Sequence, residues 1–349
     1  MAGTPTMVHS HPLRSATFDR FFIAAIPAIA IASALLVMIE PSALWTVILL
    51  DIWLLGYQHV IATWTRIGFD RESLARYWPL IVVLPPVVFV VVYTIGVSGG
   101  AVVLNTIYFH WLWFHYVRQS EGVSRAYAGR CGSRELVDAP LLRGTFYFVP
   151  TVALLTLSTL GEENLLGVPL YLMSVPVSVL WALWAFAVVL LLAVAQKLAR
   201  LRRNGRLSNH YVGYIVSHYT IFVVAYGTIR NTTIAWLCLN IWHNIQYLSF
   251  VWLSHQTRFK GKIAGKGSTI LSTLALPRNA WMYVTACLVI TVTFYMMVEN
   301  AVGFAYSNGI SATLATVVAY QTINFHHYIV DAIIWRRPKN KAVPAPMAQ

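Results

Sequence analysis

The residues of this chain best suited to chemistry are its histidines, eleven in all. His9 and His11 precede the first apolar run; the other nine fall within or at the edge of apolar runs. They are His59, His110 and His115, His210 and His218, His243 and His255, and His326 and His327. An ionisable group inside a bilayer is costly and by default functional. Neutral imidazole binds Fe, Zn or Cu through one nitrogen, and the ion then supplies the polar partner that hydrocarbon withholds. His59 lies seven residues before Arg66, His110 eight before Arg118 and His326 ten before Arg336. At a helical rise of about 1.5 Å per residue these offsets are depths of roughly 10–15 Å. His243 comes out at about 16 Å and His218 at about 18 Å by the same count.

Equal depth on different helices predicts a metal site built from His59, His110, His243 and His326. His115, His218 and His327 are candidates for additional ligands or for a second ion. Each has a plainer role as well. His218 suits an interhelical hydrogen bond, and His115, His210 and His255 sit shallowly, where histidine is cheap. His326 and His327 point about 100° apart on a helix, so one of the two ligates. Groups able to hold the imidazoles from outside are Asp331, which shares a helical face with His327, together with Gln58, Asn240, Gln246, Tyr247 and Asn324. Asp51 reads equally as a helix contact or as such a partner.

The elements that position these residues follow from composition. Hydrophobic residues make up 58% of the 349 and charged residues only 11%, against roughly 25% charged in soluble domains. Crossing a bilayer takes about 20 apolar residues. Runs that qualify or nearly do are 21–39, 42–62, 79–97, 100–117, 145–161, 172–196, 210–229, 232–254, 280–298 and 311–335. The expected fold is an all-α polytopic membrane protein of about ten spans. Residues 1–20 read as a tail, 21–336 as one transmembrane domain and 337–349 as a disordered tail.

Positive charge orients the spans, because cytoplasmic loops retain Lys and Arg. Of the 25 Lys and Arg residues, all but Arg230 fall on one side of a ten-span layout. Both termini are therefore expected in the cytoplasm, in a multi-pass protein of the inner membrane. The net charge of +13 is spread over short loops rather than one amphipathic face, which argues against nucleic-acid binding. Cys131, Cys238 and Cys287 are odd in number and widely spaced, so no disulfide framework follows. No cleavage signal follows the first apolar run, which reads as a retained span.

At these residues the sequence resembles the Brp/Blh family of membrane β-carotene dioxygenases that form retinal. The stretch NIWHNIQYLSFVW, Asn240–Trp252, is similar to the family's segment of a histidine followed by an aromatic run. FHHYIVDAIIWRRP, Phe325–Pro338, is similar to its final helix, with His326 and Asp331 at the family's five-residue spacing. His59 and His110 take the places of its first and second motif histidines. The resemblance implies Fe(II) held by His59, His110, His243 and His326. The chain departs from the motifs in having Val60 and Thr63 after His59, His115 where the second motif has an acid, Tyr247 where the third has a histidine, and His327 as an extra histidine.

The expected function is a non-haem iron oxygenase that acts with O2 on a lipophilic, carotenoid-like or lipid substrate. The alternatives are a di-iron lipid hydroxylase or desaturase, a proton-coupled transporter using the same histidines, and a haem electron carrier. Substrate, metal count and oligomeric state are not legible in the chain.

Overall fold

The computed structural model describes residues 12–130, 139–204, 207–265 and 267–335. His9, His11, Cys131, Arg134, Arg206, Lys266, the four basic residues after Trp335 and the tail 337–349 lie outside the described residues. The protein is an all-α structure. Its helices are α1 (Ala16–Ile39), α2 (Pro41–Gly68), α3 (71–99), α4 (101–130), α5 (Pro140–Leu160), α6 (Val177–Arg203), α7 (209–228), α8 (Thr232–Phe259), the short α9 (Thr269–Leu274), α10 (Pro277–Ser307) and α11 (Ala312–Ile334). A small antiparallel hairpin between α5 and α6 pairs Asn164 with Pro169 and Leu165 with Val168.

Six helical segments are long and apolar enough to cross a membrane: α1, α2, the joined α3–α4, α5, α6 and α10. Their outward faces carry large apolar side chains, such as Val82, Val90 and Val97 on α3, Trp181 and Val189 on α6, and Val289 and Met297 on α10. In hydrocarbon that is the stable arrangement, since a helix satisfies its own backbone and needs polar contacts only where it meets other helices. The long helices α8 and α11 are not among the six. Their polar residues, among them Asn240, His243, Asn244, Gln246, His326, His327 and Asp331, are buried inside the protein.

The first helix begins at Ala16, five residues earlier than the apolar run implied. Ser15 caps it by accepting from the Phe18 amide at 3.1 Å, a cap preceding the apolar pattern. The helix expected to end near residue 117 continues to Arg130, because Glu121 satisfies the arginines of that extension. Its carboxylate meets Arg118 and Arg125 at 2.7 Å each and Arg143 at 3.4 Å.

Four helices run toward the basic loops side by side: α2, α4, α8 and α11. Their basic ends are tied together. Arg258, near the end of α8, meets Asp70 in the α2–α3 turn at 2.8 Å, and Asp70 also caps α3 by accepting from the Ser73 amide at 3.0 Å. Arg66 of α2 donates to Ser254 of α8 at 2.5 Å and lies 4.3 Å over the Trp335 ring at the end of α11. The ties fix the relative depth of the three helices that carry His59, His243 and His327.

Gly100 joins α3 to α4 as a one-residue break with φ 76° and ψ 176°. That conformation is essentially reserved for glycine. Gly100→Ala is expected to lower the unfolding temperature of the detergent-purified protein, at a cost of about 1–3 kcal/mol. Gly122→Ala, at a helical site with open space around it, is expected to leave that temperature unchanged or slightly raised. Equal effects of the two in a thermal-shift series would contradict the strained break.

Candidate metal centre

Four imidazoles from four helices meet inside the protein: His59 of α2, His115 of α4, His243 of α8 and His327 of α11. All are buried, and one nitrogen from each lies within 4.8 Å of the others. The rings close a circuit, with centroid separations of 5.2 Å from His59 to His243, 4.9 Å from His243 to His115, 5.1 Å from His115 to His327 and 4.5 Å from His327 to His59. Nitrogens bound to one ion at about 2.0–2.1 Å stand no more than about 4.2 Å apart. The group therefore closes on an ion with side-chain movements of less than about an ångström.

Local structure fixes which nitrogens face the centre. His59 Nδ1 lies 2.7 Å from the Gly56 carbonyl oxygen, which can only accept, so Nδ1 carries the proton and Nε2 presents a lone pair. Gly56 ends a π turn, Ile52–Gly56, that directly precedes this helical stretch; such turns recur at functional sites. On α11, His327 Nδ1 is 2.9 Å from Thr63 Oγ1, which is 2.7 Å from Tyr247 Oη, which donates to Asp331 Oδ1 at 2.6 Å. A chain that ends on a carboxylate runs one way when each group donates to the next. It begins at His327 Nδ1–H and leaves His327 Nε2 with its lone pair inward. The two Nε2 atoms then face one another at 3.0 Å, with Asp331 Oδ2 3.6 Å from that of His327, an arrangement that fits a shared cation. His115 Nε2 and both nitrogens of His243 are buried without a hydrogen-bond partner, and orphans of this kind point to a missing ion or water.

A second tier underlies the imidazoles on the basic side. Residues four apart lie one above the other on a helix, and the residues four after each histidine are Thr63, Gln119, Tyr247 and Asp331. Thr63, Tyr247 and Asp331 form the hydrogen-bonded chain just described, and Gln119 donates to the His243 carbonyl at 3.4 Å. Below them Trp335 packs edge-on against Tyr247 at 6.4 Å, with Arg66 over its ring. On the opposite side, Asp51 accepts from Asn240 at 2.5 Å and Asn244 at 3.2 Å, while the Tyr116 hydroxyl donates to Asn240 Oδ1 at 2.6 Å. Tyr116 lies 4.3 Å from the His243 ring, and Tyr328 stacks on His115 at 4.3 Å.

The structure thus brings together two of the four histidines expected as ligands, His59 and His243, with His115 and His327 in place of His110 and His326. Helical phase is the reason. Five residues turn a helix by about 140° relative to its start, so His110 and His115 cannot face one centre. The inward stripe of α4 runs through Leu104, Tyr108, Leu112 and His115. His110 instead places Nδ1 2.8 Å from the Thr106 carbonyl, and its Nε2, outside the four-histidine group, is also buried without a partner among the described residues. His326 places Nε2 2.7 Å from the Leu80 carbonyl and stacks on Trp64 at 5.4 Å. His218 is spent on both nitrogens, at 2.9 Å from Ser120 Oγ and 3.0 Å from the Phe146 carbonyl. Among the outer partners, Tyr247 and Asp331 adjoin the cluster and Asn240 braces its far side. Gln58 is buried on α2 beside His59. Gln246 turns away, its Oε1 3.5 Å from the Tyr214 hydroxyl. Thr63, Gln119, Tyr116 and Tyr328 were not marked as site residues by the sequence, although a four-residue step from each histidine finds the first two.

Comparison with family models, curated proteins and solved structures returned no match. The reading of the site accordingly rests on its donors. Four neutral imidazoles suit iron, zinc, copper or nickel, and the lone pairs and orphaned nitrogens fit a metal ion.

Metal analysis of purified variants checks the ligand set. His115→Ala and His327→Ala are expected to lose the bound metal, while His110→Ala and His326→Ala retain the wild-type stoichiometry. The reverse pattern would exclude this cluster. Thr63→Val keeps the shape but cuts the chain behind His327, and is expected to weaken metal binding about 10–100-fold.

Proposed function

We propose that the chain is a membrane-embedded non-haem iron oxygenase that acts with O2 on a lipophilic substrate. The observation that carries the reading is the group of four buried histidines on four helices, with nitrogens that find no partner within the protein. A ferrous ion bound there would supply the redox chemistry with oxygen. The protein's part is to hold and to exclude. Gly56 fixes the His59 tautomer, and the Thr63–Tyr247–Asp331 chain fixes that of His327. With no carboxylate within the four-residue cluster, all its donors are neutral, which leaves room for further ligands around an ion.

An apolar substrate would meet aromatic surface beside His115. Tyr328 covers that ring, and Trp111 packs against Tyr328 at 5.8 Å and Phe325 at 5.0 Å. A wall of this composition keeps water from the centre and accepts a polyene or acyl chain. β-Carotene is the first substrate to try, on the strength of the Brp/Blh resemblance. The geometry favours one ion over the two of a di-iron hydroxylase, since the described residues gather one such histidine group. The hydrogen-bonded chain from His327 to Asp331 is the feature that favours a proton-coupled transporter, and a protein purified without metal would turn the reading that way.

The proposal includes the topology. All ten helical rods other than α9 cross the membrane, with the basic loops and both termini in the cytoplasm and the protein in the inner membrane.

Loaded with Fe(II) and given ¹⁸O₂ with β-carotene and other polyenes, the protein is expected to show no Soret band and to place label in a product. His243→Ala is expected to do neither binding nor labelling. Full iron content with every polyene untouched would argue against oxygenation of this class, and a strong Soret band would replace the reading with a haem carrier.

A further inference from the structure

Away from the histidines, an open cavity of about 480 Å³ lies among the residues preceding α1, the end of α4 and the last turns of α8. Its size is within the range of about 300–1,000 Å³ typical of small-molecule sites. Arg14, Arg130 and Gln256 supply its polar lining, and Leu13 and Leu253 contribute apolar surface. Arg14 is braced rather than paired, its guanidinium 4.6 Å from the Trp252 ring centroid. Neither arginine meets a carboxylate among the described residues. Gln256 Nε2 is buried without an acceptor. The hydroxyl of Thr257, also on the wall, is engaged by the Leu253 carbonyl at 2.9 Å.

The cavity therefore presents two guanidinium forks, each with five N–H groups, beside an amide whose nitrogen finds no acceptor. Forks of this kind match the planar, multidentate edge of phosphate. Among the described residues, no acidic side chain lines the wall. Of the buried carboxylates nearby, Asp19 accepts from the Leu13 amide at 3.0 Å and lies 3.3 Å from His210 Nδ1, and Glu121 is already shared among Arg118, Arg125 and Arg143.

Position narrows the source of the phosphate. Arg14 stands two residues before α1, Arg130 is the last residue of α4, and Gln256 is three residues from the end of α8. Helix ends on the basic side mark the headgroup layer. Basic pockets between helices at such a level bind anionic headgroups.

We propose that this cavity is a binding site for the phosphate of an anionic lipid headgroup. The proposal does not depend on the metal centre. The full-length protein in detergent is titrated with phosphatidylglycerol, with phosphatidylcholine or with inorganic phosphate, and followed by thermal shift and by native mass spectrometry.

Phosphatidylglycerol is expected to raise the unfolding temperature, phosphatidylcholine to have little effect, and inorganic phosphate at equal concentration to have less effect than the anionic lipid. Arg14→Gln with Arg130→Gln is expected to weaken phosphatidylglycerol binding at least tenfold. Lys260→Gln with Lys262→Gln removes the same charge from an exposed loop and is expected to leave binding unchanged. The single Arg130→Gln variant keeps the cation–π brace, and its lipid-free unfolding temperature separates lost binding from lost folding. Phosphatidylglycerol binding equally to all variants would overturn the site. Arginine-dependent protection by inorganic phosphate equal to that of the lipid would keep the phosphate site and overturn its lipid source.

Discussion

A four-residue step, repeated on four helices that run the same way, organises this protein. In water a buried imidazole can be balanced by a passing solvent molecule. In hydrocarbon every polar atom must find its partner within the protein. One helical turn of about 5.4 Å places a hydroxyl, an amide or a carboxylate beneath each histidine. The four pairs His59/Thr63, His115/Gln119, His243/Tyr247 and His327/Asp331 give the interior two stacked polar layers. The rest of the structure serves that register. The Asp70–Arg258 and Arg66–Ser254 ties set the depth of α2 against α8, and the polar faces of α8 and α11 are affordable because other helices cover them.

Much of this was legible in the sequence, and the parts that were not share a cause. Membrane character followed from apolar runs, and six helices long and apolar enough to cross were found. A histidine centre was legible because nine histidines fell in or beside those runs. Depth, however, is a one-dimensional measure read from distance to the nearest arginine. It placed His110 and His115 in different classes by height, when what separates them is rotation about the helix axis. It also took Arg118 as the end of a helix that runs twelve residues further. The adjacent pair His326 and His327 poses the same problem in its sharpest form, since one residue changes the facing side by about 100°. The burial of Leu104, Tyr108 and Leu112, which would have chosen His115, is visible only once the helices are packed.

The departures from the Brp/Blh motifs acquire a location. Thr63, His115, Tyr247 and His327, which differ from or add to the motif residues, all lie in or against the four-histidine group. They also belong together physically. Thr63 lets His327 donate to a neutral hydroxyl, and Tyr247 carries that hydrogen bond on to Asp331. Residues from three segments of sequence thus form one connected network in space.

Trp335 and Arg66 have a consequence for exchange at the basic ends of the helices. They sit on the basic side of the lower polar layer, the indole against Tyr247 and the guanidinium over the indole and bonded to Ser254. Together they form a stopper made from the ends of three helices. An ion held above it would leave on that side only as those ends separate, a motion far slower than side-chain rotation. Loading of such an ion would then belong to assembly, with the centre filled while the helices are still coming together and the ion retained afterwards by the same packing that hides it.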